Sequence, residues 1–258
     1  MTAGESLIGT KLGQHFLASG RILDRIADAA CPSGVKQVIE IGPGQGALTE
    51  KLLARVPRVI AMEMDSALAA HLRDRWPEGS GFEVHEGDAL SFDWTQWGPG
   101  VIAGNLPYYV ATAMISKYLA NPGPLAQAVF LIQKEVAERI VAKPGTRDFG
   151  YFSVECQYRA KTEYLFTVPP GAFRPPPKVD SAVIRLTPIA APESAGFLEF
   201  ASACFRQKRK TLRNNLTARY AKEVLDSLPS VSRRAEQLSV QELFELFTAL
   251  RSAASSPR

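Results

Sequence analysis

Residues 40–49, Glu40-Ile41-Gly42-Pro43-Gly44-Gln45-Gly46-Ala47-Leu48-Thr49, connect the apolar run QVIEI at 37–41 to ALTEKLLAR at 47–55, whose apolar side chains fall at helical spacing. A strand that passes through a glycine-rich turn into a helix opens an α/β sheet of the nucleotide-binding kind, because glycine lets the backbone approach a ligand closely. More β-branched runs follow at 58–64 (RVIAMEM), 82–85 (FEVH), 101–103 (VIA) and 128–132 (AVFLI), with amphipathic stretches at 66–75, 110–119 and 134–142. Such alternation predicts a mostly parallel sheet with crossover helices.

Beyond residue 160 the pattern changes. The runs at 163–168 (EYLFTV) and 181–187 (SAVIRLT) are separated by the proline-rich PPGAFRPPPKVD and no helix, which predicts an antiparallel pair. Residues 188–196 read as a linker and the rest as helix, so a boundary is expected near residue 190: a Rossmann-like domain over 1–190 and a small all-α domain over 191–258.

With 258 residues, 46% of them hydrophobic, the chain can bury one large core or one core and a satellite. No apolar run approaches the roughly 18 residues of a membrane span and the first residues lack the apolar stretch of a secretory signal, so a soluble, cytoplasmic protein is expected. Cys31, Cys156 and Cys204 are widely separated and no Cys-x-x-Cys occurs, so neither a disulfide nor a metal site is expected. Only His15, His71 and His85 are available as imidazole bases and no Gly-x-Ser-x-Gly elbow is present, which argues against a Ser-His-Asp hydrolase. The formal net charge of +4 resides entirely in the residues after 187. There, residues 201–220 carry Arg206, Lys208, Arg209, Lys210, Arg213 and Arg219 and no acid, which suits either a helix that binds a polyanion or a solvated helix face.

Gly42, Gly44 and Ala47 satisfy the dehydrogenase pattern G-x-G-x-x-G/A, and Glu63 lies about 20 residues on, where an acid holds a ribose hydroxyl. A nicotinamide dinucleotide and S-adenosylmethionine therefore compete as cofactors. The crowded glycines of Gly42-Pro43-Gly44-Gln45-Gly46 favour the second, since they look like the first motif of Rossmann-like methyltransferases. Glu63 would then accept from the ribose, and Asp88, after the third strand, would accept from the adenine amine. The plainer alternative makes Glu63 and Asp88 helix caps.

Asn105-Leu106-Pro107-Tyr108 sits at the end of the fourth strand and matches the [Asn/Asp/Ser]-x-Pro-[Tyr/Phe/Trp] motif of methyltransferases that act on exocyclic base amines. An adenine amine is a poor nucleophile because its lone pair is delocalised into the ring. Two acceptors on its hydrogens favour a pyramidal nitrogen, and the Asn105 side-chain oxygen and Leu106 carbonyl are the candidates. Pro107 fixes the chain direction and Tyr108 offers a stacking face.

These segments together resemble the small-subunit ribosomal RNA adenine N6,N6-dimethyltransferase family. The resemblance runs over almost the whole chain, through Leu12-Gly13-Gln14-His15-Phe16-Leu17, EIGPGQGALT, Glu63-Met64-Asp65, GDAL, GNLPY, Gln133-Lys134-Glu135-Val136, Gly150-Tyr151-Phe152-Ser153-Val154, VPPGAFRPPPKVDSAVIRL and FRQKRKTLRNNL. It implies a Rossmann-like methyltransferase fold and transfer of methyl groups from S-adenosylmethionine to two adjacent adenosines in a hairpin loop near the 3′ end of small-subunit rRNA, within an assembling subunit. It implies that His15 and Leu17 close over the cofactor, with Gly42, Gly44, Glu63, Asp88 and Asn105 completing its site. Phe173 would sandwich the target adenine against Tyr108, and Arg206, Lys208, Arg209, Lys210 and Arg213 would hold rRNA phosphates. A monomer is expected, no long apolar heptad being present. Tyr109 departs from the family, many relatives having asparagine there. The related large-subunit adenine methyltransferases of the macrolide-resistance type, and a ribosome-assembly factor on the same fold, are the alternatives.

Overall fold

The computed structural model describes residues 15–192 and 195–255. Leu12, Gly13 and Gln14 of the first motif lie outside these. The chain divides into two compact units, one holding the described residues up to Ala137 with Lys161–Pro188, the other Glu138–Ala160 with the described residues from Ile189 onward.

The first unit begins with a two-residue strand β1 (Phe16–Leu17) and helix α1 (Gly20–Ala30). There follow β2 (Gln37–Ile41), α2 (Ala47–Leu53), β3 (Arg58–Glu63), α3 (Ser66–Arg75), β4 (Phe82–Glu86), β5 (Gly100–Asn105), α4 (Ala111–Ala120) and β6 (Leu125–Gln133). After α5 (Lys134–Val141) and α6 (Tyr151–Arg159) come β7 (Ala160–Val168), the short β8 (Phe173–Arg174) and β9 (Ser181–Pro188). The seven-stranded sheet has the order β4-β3-β2-β5-β6-β9-β7. The pairs among β4, β3, β2, β5 and β6 are parallel, and β9 turns antiparallel to β6. The five strands expected from sequence are all present, and their carboxyl ends lie along one edge of the sheet.

The central strands are buried on both faces, as their unbroken apolar runs require: every residue of β2 is buried, including Glu40. Val38, Val59, Ala61, Val101, Ala103 and Val129 pack with Leu23, Ile26, Leu48 and Leu52 of α1 and α2 into one core. The reversal of sheet order between β2 and β5 leaves a crevice at their carboxyl ends, where open α/β sheets bind ligands. Gly104 sits opposite Ile41 in that central pair. A Cβ there would stand 2.5 Å from the Ile41 carbonyl oxygen, so glycine is what lets the chain lead into Asn105 at normal strand spacing.

The second unit holds α6 and, beyond Ile189, α7 (Phe197–Cys204), α8 (Leu212–Leu216), α9 (Lys222–Asp226) and α10 (Val240–Ser255). Its core is separate: Phe149, Val154 and Tyr158 pack with Phe197, Phe200, Leu212, Leu216, Leu243 and Phe247. The structure thus groups 138–160 with the helical unit, although the sequence places a single boundary near residue 190. The physical reason is aromatic packing: the Tyr158 ring lies 4.5 Å from Phe197, centroid to centroid.

The basic run is not one helix. Helix α7 ends at Cys204 and α8 begins at Leu212, so Arg206, Lys208, Arg209 and Lys210 lie on the turn between them. Asn215 organises that turn: its Nδ2 donates to the carbonyls of Cys204 (2.8 Å) and Gln207 (3.2 Å), and its Oδ1 accepts from the Gln207 N–H (3.1 Å).

Gly104→Ala should cost about 1–3 kcal/mol of stability, since the clash is with a backbone carbonyl inside a fixed parallel pair. Urea unfolding of the variant beside the wild type checks this; an unchanged midpoint would contradict the close approach.

Candidate active site

A cleft of about 710 Å³ opens at the carboxyl ends of β2, β3 and β5 and the loop after β4, within the size range of cofactor pockets. Its walls include His15, Leu17, Gly42, Gly44, Glu63, Asp88, Asn105, Leu106, Pro107 and Tyr108, so one cleft gathers the residues singled out for the cofactor and the NLPY segment.

The glycine turn forms the floor. Gly42 and Gly44 have φ of +65° and +58°, values side-chain-bearing residues rarely adopt. A Cβ at Gly42 would meet nothing within 4 Å, so that stretch of backbone is open to a ligand; one at Gly44 would meet the Phe16 ring at 2.9 Å.

Glu63 is 3% exposed, yet both its oxygens are used: Oε2 accepts from the Gly44 N–H at 3.0 Å and Oε1 from the Asp65 N–H at 3.0 Å. Burial pushes its pKa up, and the N–H groups of Asp65, Gly44 and Met64 oppose that shift. It does not cap α3. That task falls to Asp65, whose Oδ1 accepts from Ala67 and Leu68. Asp88 is exposed at the cleft, and its Oδ1 takes the Leu90 N–H at 2.9 Å.

Asn105 closes β5, and its Nδ2 donates to the His15 carbonyl at 3.1 Å. One N–H of the amide is thereby engaged, which fixes the amide's orientation with Oδ1 as its acceptor end. The Leu106 N–H donates to Leu131 (3.0 Å) and the Val110 N–H to Pro107 (3.1 Å), so the NLPY segment is a closed turn against β6. Tyr108 is half-buried, with its Oη 2.8 Å from the Ser181 Oγ at the start of β9 and its ring centroid 6.1 Å from that of His15. Burial raises the phenol's pKa, so Tyr108 stays neutral. His15 is fixed in turn by a 2.9 Å contact between its Nδ1 and the Pro175 carbonyl oxygen.

Phe173 differs from its expected place. Its ring is 1% exposed and packs in the core with Leu17, Val168 and Ala172; it does not line the cleft or face Tyr108. In the β1–β8 ladder Phe173 stands opposite Leu17, and the two pack in the same core, where Phe173 is the more deeply buried. From that segment Arg174 lines the cleft instead, its Nη1 donating to the carbonyls of Gly171 (3.1 Å) and Phe173 (2.9 Å). In the second unit, Arg206, Lys208, Arg209 and Lys210 are exposed; Lys208 donates to the Arg147 carbonyl at 2.7 Å, and Arg213 to Asp226 at 2.8 Å.

Sequence reasoning missed Ser181, Arg174 and Glu40. Ser181 and Arg174 carry no local signal, because their relevance depends on where β9 and β8 return to the sheet. Glu40 did have one, an acid inside an otherwise apolar central strand. It is 1% exposed on the cleft wall, accepts from Thr49 Oγ1 at 2.6 Å, and burial, with Glu63 nearby, pushes its pKa up to about 8.

This sheet order, with its glycine turn and a carboxylate after the neighbouring strand, defines a Rossmann-like S-adenosylmethionine-dependent methyltransferase fold. Residues 6–251 match the family model described as ribosomal RNA adenine dimethylase. A ribosomal RNA small subunit methyltransferase A from Acidobacterium capsulatum is 40% identical over 93% of this chain and 90% of its own. Among solved structures, a dimethyladenosine transferase from Plasmodium falciparum superposes with a TM-score of 0.82 at 27% identity, covering 93% of this chain and 98% of its own. The 23S rRNA methyltransferase ErmE gives 0.73 at 26% identity, covering 92% and 99%. The chain belongs to the ribosomal RNA adenine dimethylase family.

The raised pKa of Glu40 has a stability consequence. The stability held by its protonated form is complete below the unfolded value of 4.5 and is lost as pH rises through about 8. Glu40→Gln, which keeps the shape without the charge, should therefore flatten the fall in melting temperature between pH 5 and 9. Parallel thermal scans of both proteins check this, and identical pH profiles would contradict it.

Proposed function

We propose that this protein transfers methyl groups from S-adenosylmethionine to the exocyclic amines of two adjacent adenosines near the 3′ end of small-subunit rRNA, leaving each dimethylated. The observation that carries this reading is the Asn105 amide, whose nitrogen is tied to the His15 carbonyl so that its oxygen remains for the substrate amine.

The cleft fits the cofactor in its own chemistry. Backbone at Gly42 is open to close approach, Asp88 has a carboxylate oxygen beyond the one held by Leu90, and Glu63 lies buried between them on the cleft wall. Glu63 and Asp88 would hold the ribose and the adenine, with His15 and Leu17 covering the site from the N-terminal side. Bound there, S-adenosylmethionine supplies a methyl group already activated by its sulfonium.

What remains for the chain is to present the amine. Asn105 Oδ1 and the Leu106 carbonyl accept the two amine hydrogens, which draws the nitrogen lone pair out of conjugation and aims it outward. Tyr108 holds the base by stacking, its ring braced by Ser181. Preorganised dipoles and alignment do this work with no strong base. Arg206, Lys208, Arg209 and Lys210 would grip rRNA phosphates, which makes binding salt-sensitive. We further infer that the protein acts as a monomer, in the cytoplasm, on small subunits during their assembly.

Asn105→Ala should lower kcat by ~10² or more, by analogy with the loss of one oriented polar group in an active site, with little change in affinity for S-adenosylhomocysteine. Turnover is read by mass mapping of methylated adenosines in unmethylated small subunits. Near-normal turnover in the variant removes Asn105 from the mechanism. Failure of the wild type to form dimethyladenosine on subunits that it binds, or methylation of large subunits instead, overturns the proposed function.

A further inference from the structure

Tyr109 is 64% exposed and lines the mouth of the cleft beside Tyr108. Solitary exposed apolar residues are common and need no explanation, but three features set this one apart. First, its backbone is held: Pro107 precedes it, the Val110 N–H closes the turn onto the Pro107 carbonyl at 3.1 Å, and Met114 N donates to the Val110 carbonyl at 3.0 Å as α4 begins. A ring on such a turn loses little freedom when something stacks on it. Second, the two neighbouring tyrosines are divided in function by burial. Tyr108 is half-buried and its hydroxyl is engaged by Ser181, so its ring belongs to the cleft, while Tyr109 faces outward at the rim. Third, Arg174 puts an exposed cation on the cleft wall, suited to a strand with a phosphate between each pair of bases.

We propose that Tyr109 is the stacking platform for the nucleobase adjacent to the one inside the cleft, so that the rim binds a dinucleotide step rather than a single flipped base. This rests on the proposed function, which supplies two adjacent adenosines. When one adenosine leaves the stack and enters beside Tyr108, its neighbour loses a stacking partner on that side. The ring of Tyr109 restores the face that extrusion removes. After the first adenosine is modified, the same platform keeps its neighbour at the rim.

The test is a thermodynamic cycle on full-length protein and unmethylated small subunits, reconstituted on rRNA whose 3′ hairpin is a ligated synthetic strand. One version carries both adenosines, the other an abasic site in place of one. Tyr109→Ala should weaken binding of the intact version roughly 10-fold, within the range for losing one base–aromatic stack, and raise KM more than it lowers kcat. Tyr109→Phe should restore binding, and affinity for S-adenosylhomocysteine should be the same in all three proteins. The abasic site should cost the wild type a similar factor and cost Tyr109→Ala nothing further, as coupled partners require. Wild-type affinity in Tyr109→Ala, or abasic and alanine losses that simply multiply, overturns the proposal. Methyl transfer by the wild type to the intact version is scored separately. Its absence condemns the proposed function, whereas the binding cycle alone decides the role of Tyr109.

Discussion

The carboxylate of Glu63, buried at the end of β3, takes the backbone N–H of Gly44 through one oxygen and that of Asp65 through the other, each at 3.0 Å. Two chain segments are fixed by this one group. Gly44 belongs to the turn after β2 and can donate only because the turn adopts the positive φ of glycine. Asp65 caps α3, so its N–H points back toward β3 while its side chain holds the first helical turn. A carboxylate so buried would be costly without partners, and the backbone donors offset that cost. The ligand end of the sheet is therefore preorganised before any ligand arrives.

A second constraint lies across the cleft. The His15 carbonyl accepts from Asn105 Nδ2, while the His15 ring contacts the Pro175 carbonyl oxygen and lies near Tyr108. One residue from the N-terminal segment thus touches the ends of β5 and β8 and the stacking tyrosine. An amide at the end of a strand is free to flip, and its two ends have opposite hydrogen-bonding character. The contact with His15 resolves that ambiguity, because it holds the Nδ2 end and leaves Oδ1 as the acceptor end of a residue on the cleft wall.

Much of this was legible in the sequence, for identifiable reasons. The strands β2 to β6 show as apolar runs because parallel strands are buried on both faces, and the glycine turn and NLPY show because they demand unusual residue types at fixed spacing. The two-residue strands β1 and β8 have no periodicity to read, so the burial of Phe173 has no signal in the sequence, and its stacking role rests on the resemblance alone. Helix is expected throughout the residues beyond the linker, the basic run around Arg206 to Arg213 included, yet 206–210 form a turn. The turn there is imposed by Asn215, whose side chain replaces backbone partners at the end of α7. Grouping of 138–160 with the helical unit depends on rings far apart in sequence, such as Tyr158 and Phe197.

The two buried acids of the cleft complete the electrostatic picture. Glu40 and Glu63 come from adjacent parallel strands, and Glu63 adds to the cost of ionising Glu40. Their environments differ in kind. Glu63 has two backbone N–H donors, which stabilise an anion, whereas Glu40 has the Thr49 hydroxyl on one oxygen and a pKa of about 8. At neutral pH Glu40 is therefore mainly protonated, while the backbone donors around Glu63 oppose the upward push of burial there. A protonated Glu40 can donate as well as accept. The cleft wall thus holds a neutral acid, Glu40, one strand away from the Glu63 carboxyl and its backbone donors beside the glycine turn. A neutral Glu40 suits a cofactor carrying both a cationic sulfonium and a carboxylate better than an ionised one would, because a buried anion at that position would repel the ligand's own.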